Sequence, residues 1–476
     1  MKWIFWLRWC ISLCYSTIQH GIHLYSILDA QTRIQKDKTA FIIDAHQISF
    51  LELKCRTDQL ICEWQNPHNP KQLPQQIGLM MQQDLDSLAA LFALSRLGKD
   101  IIIVNPSLVQ HKLQALIEQR QLHLIGSLDV FTPLNIQNFT LIPAPSTQQK
   151  FRIKPTYFNK ISVCSSGSTG IPKVATRQSK PLQSLPLLDL MLRKLNFFKI
   201  KQIFVMTPLC HAAGLTASLM ALSFHKTVIL QKRFDPQSAK QLIKHYQIDC
   251  LNLVPTILYR LIELNAPLCS VQYIITGSAP LSANLVKHAL QHYPQIQLFN
   301  LYGSSESGIN LLATTADLKR NPESIGKAIQ GVQIKIADST GQPLENGNIG
   351  ILWSKCAWSI TPNQWLQCGD LAVQDAEGYY YLKGRSDDML ICGGVNVYPI
   401  DLENILYTHS AIKFARAYAI DDADLGQCLA VDIILNQVLN IEELQLWISS
   451  QTPRNLRPKL IRIIDRIETD SIGKPV

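Results

Sequence analysis

What this chain of 476 residues lacks narrows its class first. Its twelve cysteines form no C-x-x-C pair, and no Cys/His cluster has zinc spacing, so no zinc site or dithiol redox motif is written into it. Thiols scattered through so large a chain read as those of a reduced, cytosolic protein. Charge is sparse too, at 17% of residues, and Lys and Arg are not blocked, so the net charge of +9 marks no nucleic-acid stripe. A mildly basic balance suits anionic substrates such as nucleotides and equally suits a solvated surface. No stretch has the length and apolarity of a transmembrane helix. Internal repeats and low-complexity segments are missing; Gln and Pro are merely frequent between Asn66 and Gln83. What is present is a 47% hydrophobic content, enough for a folded globular protein, in a length that calls for two or more domains.

The N-terminus stands apart. From Trp3 to Tyr15 the chain is apolar and aromatic except for Arg8 and Ser12. It is too short to span a bilayer, and Arg8 and the lack of a small-residue cleavage site speak against a signal peptide. Two readings stay open: a helix packed on the protein's own body, or one lying on a membrane surface in peripheral contact through residues 3–15.

Between residues 203 and 301 strand-like and helix-like segments alternate. Residues 203–206, 227–230, 250–254, 273–276 and 297–301 read as strands. Residues 215–223 read as a helix; Asp235 before Pro236 caps a second, Pro255 opens a third, and Ser282 caps a fourth running to His292. Upstream the same alternation is weaker, with residues 89–98 helical and 101–104 a buried strand. This pattern predicts an α/β fold: a large N-terminal domain of mostly parallel sheets covered by helices. After Gly384 a turn, a glycine pair and a small α+β stretch predict a second domain.

The sharpest local signal follows residues 161–165, a strand-like run. Ser166-Gly167-Ser168-Thr169-Gly170-Ile171-Pro172-Lys173 supplies glycines for a tight turn, hydroxyl donors and a positive charge, the parts of a phosphate cradle. It is not a Walker loop, because Pro172 stands where that pattern needs Gly. Alone, such a run could also be an ordinary Ser/Gly-rich surface loop.

With this loop the sequence resembles the adenylate-forming (AMP-binding) superfamily of acyl-CoA synthetases, aryl-CoA ligases, luciferases and peptide-synthetase adenylation domains. Only the loop's last position departs, Val174 standing for the family's Gly. Further motifs follow in family order: Ile48 to Leu53, Leu97 to Pro106, Pro208 to Gly214 with Cys210 for the usual Phe, Gly277 to Leu281, Asn300 to Glu306, Cys368-Gly369-Asp370, Gly384 to Asp388, and Gly473-Lys474. The resemblance covers the chain from about residue 24 to its C-terminus.

The resemblance implies a division into an N-terminal apolar extension (1–22), an AMP-binding domain (23–384) and a small mobile α+β hinge-and-lid domain (385–476). It implies an acid-thiol ligase that uses ATP and Mg²⁺ to turn a carboxylic acid into acyl-AMP and pyrophosphate, then transfers the acyl group to CoA. Ser166, Gly167, Ser168, Thr169, Gly170 and Lys173 would hold the β- and γ-phosphates, Ser305 the α-phosphate and Glu306 the metal. Tyr302, followed by Gly303, would stack on adenine, with Gly277, Ser278, Ala279 and Pro280 along its edge. Asp370 would take the ribose hydroxyls, supported by Arg385; Lys474 would bridge carboxylate and α-phosphate. Asp387 falls at the hinge, and Gly393 and Gly394 on the CoA side.

His211 and Gly214 fall in the acyl-pocket segment. His211 stands where amino-acid-activating domains carry an aspartate, which argues against an amino acid, and the apolar residues beside it suit a fatty acid first and an aryl acid second. The lack of an insertion between Glu306 and Asp370 favours CoA over an acyl carrier protein as acceptor. Two alternatives stay open: an adenylating enzyme that loads a carrier protein, and a non-catalytic relative.

Overall fold

The computed structural model describes residues 2–65, 72–127, 139–144, 154–156, 160–164, 174–177, 183, 185–386, 388–392, 395–422, 425–437 and 439–465. The chain forms two compact units. The first comprises residues 1–180, 191–253 and 267–272; the second comprises 181–190, 254–266 and 273–476.

The first unit opens with helices α1 (Lys2–His20), α2 (Leu24–Gln35) and α3 (Phe50–Gln65). Its strands are β1 (Thr39–Ile43), β2 (His46–Ser49), β3 (Gln76–Met80), β4 (Asp100–Val104), β5 (His123–Gly126), β6 (Phe139–Leu141), β7 (Ile161–Cys164), β8 (Val174–Arg177), β9 (Gln202–Val205), β10 (Thr227–Leu230) and β11 (Cys250–Leu253). One sheet runs β6-β5-β3-β4-β7-β8, parallel except where β8 turns back on β7. A second run, β2-β1-β10-β9-β11, is parallel except at β2. Strands such as Asp100–Val104 and Thr227–Leu230 are short, β-branched and buried on both faces, as strands of a helix-covered parallel sheet must be. Helices α4 (Leu85–Arg96), α5 (Gln110–Arg120), α6 (Ala212–Ser223) and α7 (Pro236–Tyr246) alternate with them. Asp235 caps α7 by accepting the Ser238 N–H at 2.6 Å, as its sequence predicts. Helix α4 begins four residues before the predicted start, because Asp84 accepts the Ser87 N–H at 2.6 Å and supplies an earlier cap.

Helix α1 packs on α2. Ser12 donates to the Ala30 carbonyl at 3.1 Å and Ser16 to Asp29 at 2.6 Å. Arg33 holds the same carboxylate at 2.7 Å, and His20 stands 3.4 Å from it. Burial pushes the Asp29 carboxyl up, but the His20, Ser16 and Arg33 hydrogen bonds outweigh it and hold the group below the usual carboxylate range. Among the described residues no helix is long and apolar enough to cross a membrane.

The second unit contains helices α8 (Pro255–Glu263), α9 (Ala283–His292) and α10 (Thr315–Arg320). Its strands begin with β12 (Tyr273–Gly277), β13 (Gln297–Ser304), β14 (Gly308–Ala313) and β15 (Lys327–Ala328), in that spatial order. β12 and β13 are parallel, and β13 then hairpins into antiparallel β14. A separate antiparallel sheet follows the chain: β16 (Gln333–Ala337), β17 (Gly350–Lys355), β18 (Leu366–Gln374) and β19 (Tyr380–Arg385). Leu311, Ile325, Ile336, Leu352, Ala372 and Tyr380 form the core of this part, with Tyr302 and Cys368 packed at its edge.

The C-terminal stretch carries β20 (Leu390–Cys392), β21 (Val395–Val397), helix α11 (Pro399–Leu406), β22 (Ile412–Asp422), β23 (Gly426–Leu435), helix α12 (Ile441–Gln451) and β24 (Leu460–Ile463). Its core is its own, built from Leu402, Leu406, Val431, Ile433, Leu444 and neighbours.

Candidate active site

The second unit brings several predicted residues together at the ends of β12 and β13 and midway along β18. Strand β12 stops at Gly277, which pairs with Leu301 of β13. A Cβ at Gly277 would lie 2.3 Å from the Leu301 carbonyl oxygen, so only glycine fits. Ser278 follows with a left-handed φ of 65°, the bend that turns Ser278, Ala279 and Pro280 out of the strand.

The β13–β14 hairpin carries the next group. A Cβ at Gly303 would sit 2.0 Å from the Gly308 carbonyl oxygen, so the two strands close more tightly here than any side chain permits. Between them the Ser304 hydroxyl accepts the backbone N–H of Glu306 at 3.2 Å and of Ser307 at 3.0 Å, a side-chain turn that fixes the direction of Ser305 and Glu306. Ser307, fully buried, stands 3.0 Å from the Ser304 hydroxyl and accepts the Asn310 amide at 2.7 Å. The Glu306 carbonyl takes the Ile360 N–H at 2.9 Å. Sequence reasoning assigned no role to Ser307 or Asn310; the Ser-x-x-Ser spacing was the signal that could have found them.

Asp370 on β18 stands opposite Arg385 on β19. Its Oδ1 accepts from Arg385 Nη1 at 3.2 Å, and its Oδ2 accepts from the Tyr302 hydroxyl. Tyr302 and Asp370 are 68 positions apart, so this contact belongs to the fold and no local motif announces it. Burial, then the adjacent Asp370 carboxylate, pushes the Tyr302 phenol far above its ordinary range, so it is a neutral donor at any physiological pH. Burial pushes the neighbouring Cys368 thiol up to about 11, so it stays protonated beside the Ser354 hydroxyl. Gly369, at φ +77°, brings the chain so close to Arg385 that a Cβ would lie 2.8 Å from its Nη2.

His211 and Gly214 belong to the first unit. His211 is the N-cap residue of α6 in extended conformation. A Cβ at Gly214 would fall 2.3 Å from the Thr207 carbonyl oxygen, so glycine lets the helix start against the Thr207–Pro208 backbone. Cys210, in the place of the family's Phe, is buried, and burial pushes its thiol up to about 12, as expected of a small hydrophobe. Ser166, Gly167, Ser168, Thr169, Gly170, Lys173, Asp387, Gly393, Gly394 and Lys474 lie outside the described residues. The strands flanking the phosphate loop are described. Cys164 pairs with Val174, antiparallel, at the loop's two ends. Val174 packs on the core of Met80, Ile102, Leu124 and Cys164, which gives a β-branched residue a physical reason to stand where the family has glycine.

The family model for AMP-binding enzymes matches residues 163–360, from the strand before the loop to beyond Glu306. Residues 163–360 thus carry an AMP-binding enzyme domain, which bears out the resemblance to the adenylate-forming superfamily. The 2-succinylbenzoate–CoA ligase of Staphylococcus epidermidis is 28% identical over 469 residues, covering 94% of this chain and 95% of the relative. An uncharacterized acyl–CoA ligase of Bacillus subtilis, YhfT, is 27% identical over 317 residues, so the match spans 65% of that relative's length. In fold, the chain is similar to o-succinylbenzoate coenzyme A synthetase (MenE) from Bacillus subtilis in complex with ATP and magnesium ion, with a TM-score of 0.81 at 20% identity over 95% of this chain and 98% of the other. This matches the predicted α/β architecture of parallel sheets followed by a smaller C-terminal portion with antiparallel strands.

One expectation is corrected by these relatives. A fatty acid is not supported, since the acid named for both the Staphylococcus ligase and MenE is an aryl one. These relatives are named as CoA ligases, which supports CoA rather than a carrier protein as the acceptor.

The arrangement fits ATP and Mg²⁺. A carboxylate offers about four acceptor sites on its two oxygens, so Asp370 can take ribose hydroxyls while it keeps Tyr302 and Arg385. Among the described residues no cluster of three or more His, Cys, Asp or Glu could cage a metal. Mg²⁺ needs no cage: it commonly binds one or two carboxylates plus substrate phosphates and keeps its waters, a role one glutamate such as Glu306 can fill.

Proposed function

We propose that the chain is an AMP-forming acid–CoA ligase for an aryl carboxylic acid of the succinylbenzoate class. A carboxylate oxygen of the acid attacks the α-phosphorus of ATP, the bond to pyrophosphate breaks, and acyl-AMP forms. The CoA sulfur, as thiolate, then attacks the acyl carbon and AMP departs.

The chain's own contribution is positioning and charge neutralisation. Asp370 anchors the ribose, held in place by Tyr302 and Arg385. Gly277 to Pro280 and the Tyr302 ring border the adenine. Ser305 points its hydroxyl donor to the α-phosphate from the turn that Ser304 fixes. Glu306 would hold Mg²⁺, which neutralises phosphate charge. Residues 166–170 with Lys173 hold the outer phosphates, and Lys474 pairs with the attacking carboxylate. Asp387 serves as the pivot between the two half-reactions, at the start of a C-terminal domain 385–476 that presents Gly393 and Gly394 to CoA. His211 and Gly214 border the acid.

The observation that carries this reading is the hydrogen-bonded trio Tyr302–Asp370–Arg385 in a chain matched by the AMP-binding family model. The test is mass spectrometry of products from the purified protein with ATP, Mg²⁺, CoA and a panel of aryl and fatty acids. An aryl-CoA formed with equal AMP is the expected result. A fatty acyl-CoA as main product overturns the acid class, acyl-AMP with no thioester overturns CoA as acceptor, and no acid-dependent product overturns the ligase reading.

A further inference from the structure

Helix α1 is amphipathic in the reverse of the usual sense. Its hydroxyls Ser12 and Ser16 point into the protein, bonded to Ala30 and Asp29 of α2. Four large apolar side chains point out: Leu7 is 63% exposed, Ile11 61%, Tyr15 54% and Ile18 80%. Spacings of four, four and three residues put them on one face, a stripe about 16 Å long at 1.5 Å rise per residue. The helix is held rather than dangling. Asp29 gathers Ser16, His20 and Arg33, and the Gly21 turn after the helix accommodates the Thr156 carbonyl where any Cβ would collide. Folding therefore fixes an apolar ridge in water, at a cost that covering it would recover.

From this we infer that the outer face of α1 is a docking surface for an anionic lipid bilayer, on which the helix lies flat. Charge selects that occupant. The first 28 residues contain Lys2 and Arg8 and no Asp or Glu, and the whole chain carries +9. Two copies of the chain pressed together would oppose like charges, whereas an anionic headgroup layer neutralises them. Area selects it too. Four partly exposed side chains on one helix fall short of the ~1,200–2,000 Å² that a stable protein interface buries. A ridge one helix wide is what sinks about 5–10 Å into the boundary between headgroups and acyl chains. The described helices lack the length and apolarity to span a membrane, so the helix would lie on the surface.

The test uses the full chain, sedimented with vesicles of phosphatidylglycerol and phosphatidylcholine in equal parts, and with phosphatidylcholine alone, at low and high salt. The full chain is expected to partition onto the anionic vesicles, less at high salt, and more weakly onto the neutral ones. The triple variant Leu7→Ser, Ile11→Ser, Ile18→Ser is expected to lower that partitioning about tenfold or more, since burying even one such side chain is worth ~1.5–3 kcal/mol. Wild-type protein left in the supernatant with anionic vesicles overturns the inference. So does a triple variant that binds as well as wild type, or a dimer by light scattering that the triple variant dissolves without any vesicle binding. Should the triple variant fail to fold, Ile18→Trp alone gives the reading. Quenching of its added fluorescence by brominated lipid in anionic vesicles supports the inference, and unchanged emission overturns it.

Discussion

Removing one oxygen atom tests the nucleotide site most cleanly. Tyr302→Phe keeps the ring and deletes the hydroxyl that Asp370 Oδ2 accepts. A hydrogen bond to a charged group is worth ~1.5–3 kcal/mol. Asp370 keeps Arg385 at 3.2 Å, and its side chain is 18% exposed, so water can replace part of the loss. A net cost of about 1–2 kcal/mol follows, or roughly 5- to 30-fold in affinity for ATP or AMP. The effect should appear in calorimetric binding of AMP and in KM for ATP, with kcat within about twofold, because the ribose hydroxyls that Asp370 would hold stand several bonds from the α-phosphorus and carry no charge change in the step. The tyrosine's shift sets the pH dependence. Its folded pKa lies above its unfolded value near 10, so its contribution is fully present below pH ~10 and fades only as pH climbs beyond. The wild-type advantage over Tyr302→Phe should therefore be flat from pH 6 to 9. Unchanged affinity in Tyr302→Phe, alongside severe loss in Asp370→Asn, would refute the claim that the phenol positions the carboxylate.

Three further outcomes are expected. Desolvation pushes the Glu403 carboxyl up to about 7 even though it accepts the Ala417 N–H at 2.8 Å. Its stabilising contribution is complete below the unfolded pKa near 4.3 and is lost as pH rises through about 7, so Glu403→Gln should melt higher than wild type at pH 8 and lose that advantage at pH 5; a constant difference in calorimetry would contradict this. Gly303→Ala must displace the Gly308 backbone, and should cost about 1–3 kcal/mol in denaturant unfolding and weaken ATP binding together; a normal variant would show the hairpin yields easily. Lys474→Ala should abolish acyl-AMP formation yet spare thioester formation from supplied acyl-AMP; equal loss in both single-turnover assays would remove Lys474 from its role.

Much of the fold was legible where one residue type forces one geometry. Pro255 opens α8 and Asp235 caps α7 because a ring-fixed φ and a short carboxylate leave the backbone few choices. The all-buried strands gave themselves away by unbroken β-branched runs. The hidden parts were long-range. Nothing near Tyr302 says that its hydroxyl meets Asp370, since that depends on the register of β18 against β19 and on the packing of both beside β13. The reversal of β8 on β7 was equally silent, because a four-residue strand reads the same in either direction. The outward face of α1 was half legible: the apolar run announced a helix, but only the hydroxyl contacts of Ser12 and Ser16 show which side faces in.

The pairing of Cys164 with Val174 means that the nine residues between them begin and end on one rung of a ladder. Both ends of the loop thus belong to the sheet, and closing so short a segment costs little entropy once the rung is formed. On the proposed reading, substitutions between the rungs act on phosphate binding itself, while a change at either rung acts on the sheet that carries both ends. Val174, which looks like a defect when the motif is read letter by letter, sits on the side of that division that sets location rather than chemistry.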